Sequence, residues 1–406
     1  MDGVALNNRL AIGNENHYHL LEVDIRGMIV RLARGYLGIG LLSLAGFTAR
    51  AAEDAMLRHG AIPAKAESTA VSAGTTLTFQ HANDVRSVNA LFDSVDIVAT
   101  IPTVHGQWLL YVEGNTSPQP RGVSSLYAEA NQDAATAVDR DGHGRLQVSS
   151  LHYLWYLGHN ALALGLINPA GPIDNSEVAN NETNQFLATT LVNNPTIAFP
   201  DYALGMVCFF KPEHSPLDLT FLLSSSQGLG DNPNKSYSEL VDVGASGKGA
   251  FAVAELVWKQ AQQAWRGGIW LQTAANAYLD GSGNTANNYG FYFSTDHRVG
   301  EYGLNLRLGL ANPKVSEAAQ FVGLAVDRAL GKSHAGIGYT YTFVSSAAGT
   351  GKGDRTQVEA YYRVDLSKAL SLTPSLQKIH NSGFATTSAI IDRDVNVISV
   401  RTSYVF

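Results

Sequence analysis

Val397-Ile398-Ser399-Val400-Arg401-Thr402-Ser403-Tyr404-Val405-Phe406 decides the fold class of this chain. Ile398, Val400, Thr402, Tyr404 and Phe406 share one face, and Arg401 and Ser403 sit on the other. Side chains that alternate with a period of two belong to an extended strand with two different surroundings. An alternating strand that stops on an aromatic is also the terminus that outer-membrane assembly is expected to read.

The same rhythm recurs upstream. In 300–310 Tyr302, Leu304, Leu306, Leu308 and Leu310 alternate with Glu301, Gly303, Asn305, Arg307 and Gly309. In 334–344 Ile337, Tyr339, Tyr341 and Phe343 alternate with Gly336, Gly338, Thr340 and Thr342. In 357–366 Val358, Ala360, Tyr362, Val364 and Leu366 alternate with Gln357, Glu359, Tyr361, Arg363 and Asp365. Segments of about ten residues with one apolar face, bounded by turn residues, suit tilted strands that cross a bilayer. A soluble sandwich alternates too. Charges at mid-strand (Arg307, Glu359, Arg363) and aromatics at strand ends (Tyr302, Tyr362, Tyr404) favour a wet lumen and interfacial girdles instead.

Counting outward gives about sixteen strands: 74–80, 90–101, 106–114, 146–157, 160–167, 202–210, 217–224, 249–259, 267–278, 287–296, 300–310, 320–329, 334–344, 356–366, 371–380 and 395–406. Short connections (102–105, 158–159, 211–216, 297–299, 330–333, 367–370) alternate with long ones (115–145, 168–201, 225–248, 345–355, 381–394). An even count puts every short turn on the periplasmic side and every long loop outside. The expected fold is therefore all-β: a transmembrane antiparallel up-and-down β-barrel, wide enough at this strand number for an aqueous channel.

Composition agrees with that class. Charged residues are 16% of the 406, against about 25% in soluble domains. The formal charge of −7 gives no basic footprint for nucleic acid. The single cysteine, Cys208, lies in apolar Met206-Val207-Cys208-Phe209-Phe210, with no cation beside it to make it a nucleophile. Near the N-terminus, Arg31 and Arg34 precede the apolar run Gly35–Phe47 and a small-x-small site, Ala49-Arg50-Ala51. This reads as a secretory signal peptide, too short to span as a helix. The expected organisation is an N-terminal extension plus cleaved signal peptide over 1–51 (the signal itself 28–51), a periplasmic segment over 52–73, and the barrel over 74–406.

Enzyme signatures such as G-x-S-x-G, H-E-x-x-H and C-x-x-C are missing. Gly349-Thr350-Gly351-Lys352-Gly353 lacks phosphate-loop spacing and reads as a hairpin loop. Asp139-Arg140-Asp141-Gly142-His143 begins like a calcium loop without its later ligands. His152 reads as a wall histidine. No cofactor or metal is expected.

What remains is lumen chemistry. Glu113, Arg307, Glu359, Tyr361, Arg363 and Arg401 occupy the polar faces and are expected to line the pore and contact solute, with Trp270 a further aromatic candidate. Acids and bases across a pore set up a transverse field and exchange hydrogen bonds with passing hydroxyls. The loop 168–201 is rich in Asn, Asp and Glu yet carries Phe186, Leu187, Leu191, Val192, Ile197 and Phe199. A loop facing only water has no use for these anchors. It is expected to fold inward and narrow the bore, with Asn180, Glu182, Asn184 and Phe186 at the constriction.

Two blocks resemble a known family. Leu166-Ile167-Asn168-Pro169, Glu177-Val178-Ala179-Asn180-Asn181-Glu182-Thr183-Asn184-Gln185-Phe186-Leu187 and Val192-Asn193-Asn194-Pro195-Thr196-Ile197 form one. Gln357-Val358-Glu359-Ala360-Tyr361-Tyr362-Arg363-Val364 with Leu370-Ser371-Leu372-Thr373-Pro374-Ser375-Leu376-Gln377 forms the other. Both are similar to the carbohydrate-selective porin (OprB) family. The resemblance implies a sixteen-stranded outer-membrane barrel that passes glucose and related sugars by facilitated diffusion. It implies pore charges at Glu359 and Arg363. Partners would be small sugars and outer-membrane lipid, with a homotrimer open to such a barrel. The competing readings are a general non-selective porin and an outer-membrane lipase or protease on a smaller barrel.

Overall fold

A computed structural model describes residues 62–406 apart from 85, 135–136, 233, 242–247, 350–352 and 383–393. The expected signal peptide and extension lie outside the described residues. The described residues form sixteen strands: β1 (Ala70–Ala82), β2 (Ala90–Pro102), β3 (Gly106–Asn115), β4 (Leu146–Leu157), β5 (Asn160–Ile167), β6 (Ala203–Phe210), β7 (Leu217–Ser225), β8 (Ala250–Gln260), β9 (Gln263–Ala277), β10 (Thr285–Val299), β11 (Tyr302–Ala311), β12 (Ala318–Leu330), β13 (Ser333–Val344), β14 (Arg355–Asp365), β15 (Leu370–His380) and β16 (Asp394–Val405). Each pairs antiparallel with its sequence neighbours, and β1 pairs with β16, so the sheet is closed. Closure leaves no edge strand, which lipid requires because it offers no hydrogen bonds to unpaired backbone.

The two faces follow the sequence alternation. Leu304, Leu310, Ile337, Leu376 and Ile398 are exposed on the outside, while Asn305, Thr340, Gln377 and Ser399 are buried on the inside. Ridges of Leu, Ile, Phe and Tyr outside and polar groups inside are the arrangement a membrane barrel needs. Three tight hairpins, at 158–159, 300–301 and 331–332, begin with Gly158, Gly300 and Gly331 at φ of 67°, 60° and 67°. A two-residue hairpin turn asks for positive φ at its first central residue, which glycine adopts without strain.

All sixteen expected strands are present. Several run further than expected: β1 starts at Ala70 rather than 74, β9 at Gln263 rather than 267, and β10 ends at Val299 rather than 296. Polar rim residues such as Gln263 and His297 still pair across the ladder. Polarity marks the end of the lipid band, not the end of the strand.

Two loops on the side away from the chain's C-terminus turn into the barrel. The first, 116–145, carries a short helix α1 (Val123–Leu126). The second, 168–202, carries α2 (Thr189–Val192). Gln132 N in the first donates to Leu187 O in the second at 2.8 Å, so the two loops brace each other.

Candidate functional site

Loop 168–202 is clasped to the inner wall by side chains of β8, β10, β11, β14 and β16, with Thr340 of β13 hydrogen-bonded to Thr190 at 2.8 Å. Arg307 on β11 reaches into it with both terminal nitrogens. Nη1 donates to Leu191 O and Val192 O at 3.3 and 3.2 Å. Nη2 donates to Asp174 O, Ala179 O and Asn180 Oδ1 at 3.1, 3.0 and 3.2 Å. Its Nε lies 3.4 Å from the Asp174 carboxylate. Glu359 on β14 accepts from Leu187 N and Ala188 N at 2.9 and 2.7 Å. Arg401 on β16 donates to Gln185 O at 2.7 Å and to Glu182 O. On the far side, Glu255 of β8 accepts from Asp174 N at 2.8 Å and from Tyr292 Oη at 2.9 Å. Asp296 of β10 accepts from Ser176 Oγ at 2.7 Å and pairs with Arg266 of β9 at 2.8 Å. Wall charges thus satisfy the loop's own backbone groups, which would be costly to bury unpaired.

The apolar anchors complete the seat. Phe186 packs edge-on against Tyr361 with ring centroids 4.9 Å apart, in a cluster with Val178, Leu191 and Ala325. Ile173 and Ile197 pack on Val207, Phe209, Phe251 and Trp270 of the wall. Wall glycines make room for the loop: a Cβ at Gly338 would stand 2.6 Å from Leu191, and one at Gly309 would stand 2.1 Å from Thr196 Oγ1. Asp174, enclosed in this seat, has its carboxyl raised to about 6 by burial, against the pull of Arg307 and Arg266.

The other loop is held by glutamines. Gln357 donates to Glu129 O at 2.9 Å, Gln377 to Ala130 O at 2.9 Å and Gln80 to Ala130 O at 3.3 Å. The length of the connection 115–145 predicts an external loop. Its Val123, Tyr127 and Ala130 instead pack on Ala82, Ile379 and Val397 of the wall. The signal was the one that worked for loop 168–201, apolar residues in a polar stretch.

Two cavities border the clasped loops. One of about 660 Å³ includes Thr190, Asn194, Glu317, Thr342 and Arg355 in its lining. The other, about 460 Å³, is lined by Asp96, Glu113, Asp133, Glu182 and Asp201, with Lys235 as its cation. They share Gln132, Thr189, Asn193 and Phe199, so they meet where the two loops meet. In the second cavity Glu113 accepts from Ser149 Oγ at 2.7 Å, and Asp133 from Ser94 Oγ at 2.6 Å. Desolvation within the barrel, then Glu113 and Asp231, push the Asp201 carboxyl up to about 8, while Lys235 pulls it down.

The expected site residues therefore divide. Glu113, Asn180 and Glu182 border the acidic cavity. Arg307, Glu359 and Arg401, 2%, 0% and 1% exposed, lie behind the loop and spend their polar atoms on it. Tyr361 and Phe186 face each other in the seat, and Trp270 lies under Ile173 and Ile197, so these rings are covered. Asn184 N closes the loop-tip turn by donating to Asn181 Oδ1 at 2.8 Å. Arg363 stands apart, two residues from the end of β14 at the short turn 366–369, paired with Asp365 at 2.8 Å. Asp96, Asp133, Asp201, Glu255 and Asp296 were not anticipated. Glu255 was visible as an acid in the inward apolar row Phe251, Val253, Val257.

Comparison with known proteins agrees with the barrel. The model of the carbohydrate-selective porin, OprB family, matches residues 128–406. A 215-residue stretch is 26% identical to an uncharacterised protein of Aquifex aeolicus, over 53% of this chain and 58% of that protein. The solved OprB of Pseudomonas putida, at high pH, superposes with a TM-score of 0.62 at 13% identity, over 83% of this chain and 93% of that one. Salmonella typhi OmpF, in complex with daunomycin, gives 0.54 at 10% identity, over 83% and 97%. At such identities the two structures speak to the fold.

Proposed function

The chain belongs to the carbohydrate-selective porin (OprB) family, and on that premise we propose that it is a passive water-filled channel of the outer membrane for sugars and other small hydrophilic solutes. The observation that carries this reading is the pair of loops clasped inside a closed barrel, with polar cavities where they meet. A wall that spends its arginines and glutamates on holding a loop is built to fix a width. Selection by width, lining charge and hydroxyl hydrogen bonding needs no cofactor. We read the chain as a channel rather than an enzyme, with a homotrimer as its expected assembly, checked by the mobility of unheated protein on gels. The proposed cleavage after Ala51 is checked by N-terminal sequencing of the outer-membrane form.

The charge balance of the cavities bears on which solutes pass. With Arg266 paired to Asp296, Arg307 paired to Asp174, and Arg401 buried behind the loop against its carbonyl oxygens, the charged groups that line the second cavity are mostly carboxylates. Fixed charge on a pore lining attracts ions of opposite sign. In a salt gradient the reversal potential is expected to show preference for potassium over chloride. Glu113→Gln with Glu182→Gln should reduce that preference. Because the Asp201 carboxyl loses its proton near pH 8, raising the pH from 7 to 9 adds a negative charge and should strengthen it. Equal permeability of both ions in the wild type would remove the charge assignment and leave the channel.

A further inference from the structure

Residues 62–69 precede the barrel, and a segment that only led to the first strand would hang clear of it. This one turns into the bore. Gln107 of β3 and Tyr156 of β4 point inward, since their neighbours Trp108 and Leu157 are exposed on the outer face. Both stand at the periplasmic ends of their strands, beside the turns 103–105 and 158–159. Tyr156 Oη donates to Pro63 O at 3.0 Å, and Ala66 N donates to Gln107 Oε1 at 2.8 Å. Lys65 Nζ donates to Val104 O at 2.8 Å. Ile62 packs on the apolar cluster that holds Leu154, Ala161 and Phe209 of the wall together with Ile173 and Ile197 of the inward loop.

We propose that residues 62–69 form a strap across the periplasmic mouth and make a second narrowing of the solute path. The inference rests on the reading of the bore as that path. The two narrowings share one apolar wall: the loop covers it from one end, and Ile62 covers it from the other. Such a layer keeps water off both faces and fixes the strap without a disulfide or a strand. Pro63 is buried, while Ala64, Lys65 and Glu67 remain exposed. The strap thus offers a cation and a carboxylate to the hydroxyls of a solute at the mouth.

Cysteine modification tests the proposal in the whole protein. Cys208 lies on the lipid-facing row between inward Val207 and Phe209, so Cys208→Ser gives a clean background. In that background Ala64→Cys, treated from the periplasmic side with a cationic thiosulfonate, should lose roughly a third of its single-channel conductance. Lys368→Cys, in the exposed turn 366–369, should lose almost none under the same reagent. A second pair needs no reagent: Tyr156→Phe with Gln107→Leu releases the strap and should raise conductance. No loss at Ala64→Cys, equal loss at both cysteines, or an unchanged conductance in the double variant each overturn the strap. Absence of sugar block in the Cys208→Ser parent instead counts against the sugar path, whatever the cysteine responses are.

Discussion

Arg307→Ala is expected to have the largest effect of any single substitution in the lumen. One side chain satisfies five oxygen atoms of loop 168–202 and stands 3.4 Å from the Asp174 carboxylate. Removing one partner of a buried ion pair costs about 3–5 kcal/mol, mostly because the other charge is left stranded. Here the stranded groups also include the backbone carbonyls of Asp174, Ala179, Leu191 and Val192. The loop should leave its seat while the barrel stays closed, because the sixteen-strand ladder makes no use of Arg307's side chain. Single-channel recordings should show higher and noisier conductance and weaker sugar block. The unheated protein should still run as a folded barrel. Arg307→Lys should rescue little, since a point ammonium on a flexible stem cannot fork between two sets of acceptors. A quiet channel of wild-type conductance in Arg307→Ala would mean that the apolar anchors, with Glu359, Arg401, Glu255 and Asp296, seat the loop without Arg307.

Gly309→Leu is expected to come second, by overfilling the seat instead of breaking its bonds. Gly309 faces inward on β11, and any Cβ there meets Thr196 Oγ1 at 2.1 Å and Asn194 Oδ1 at 2.6 Å. Asn194 cannot retreat freely, because its Nδ2 donates to Leu308 O at 3.0 Å and its Oδ1 takes the Thr196 hydroxyl at 2.7 Å. Forcing extra carbons into a filled site costs about 1–3 kcal/mol. The segment 194–196 should lift, opening the meeting point of the two cavities, and conductance should rise. Gly309→Ala should give a smaller change in the same direction. Gly267, where a Cβ meets nothing within 4 Å, should accept alanine silently. The contrast between the two glycines is the readout.

The barrel was legible because its physics is local. Each strand must show lipid one face and the lumen the other, so each writes a period of two into its own residues, as Leu304, Leu306 and Leu308 against Asn305 and Arg307 do. The inward loop was legible for a related reason: Phe186, Leu191 and Ile197 need a surface to cover. What the chain does with its lumen charges was not legible. Arg307 and Glu113 look alike as inward charges on alternating strands. Only the path of a loop more than a hundred residues away from Arg307 in the chain decides that one is a clasp and the other borders a cavity. Gly309 and Gly338 could have been noticed as inward positions with no side chain, but the partner that fills the space lies far off in the chain. Loop 116–145 carried its own apolar signal in Val123 and Tyr127, and its glutamine holders come from β1, β14 and β15.

The most direct test of the account is planar-bilayer recording of the wild-type protein with graded glucose or a short glucose oligomer on one side. The account predicts stable conductance steps that fall, saturably, as the sugar is added, because solute and ions share the space between the clasped loops. Steps that ignore every sugar tried, or protein that inserts without conducting, would contradict it.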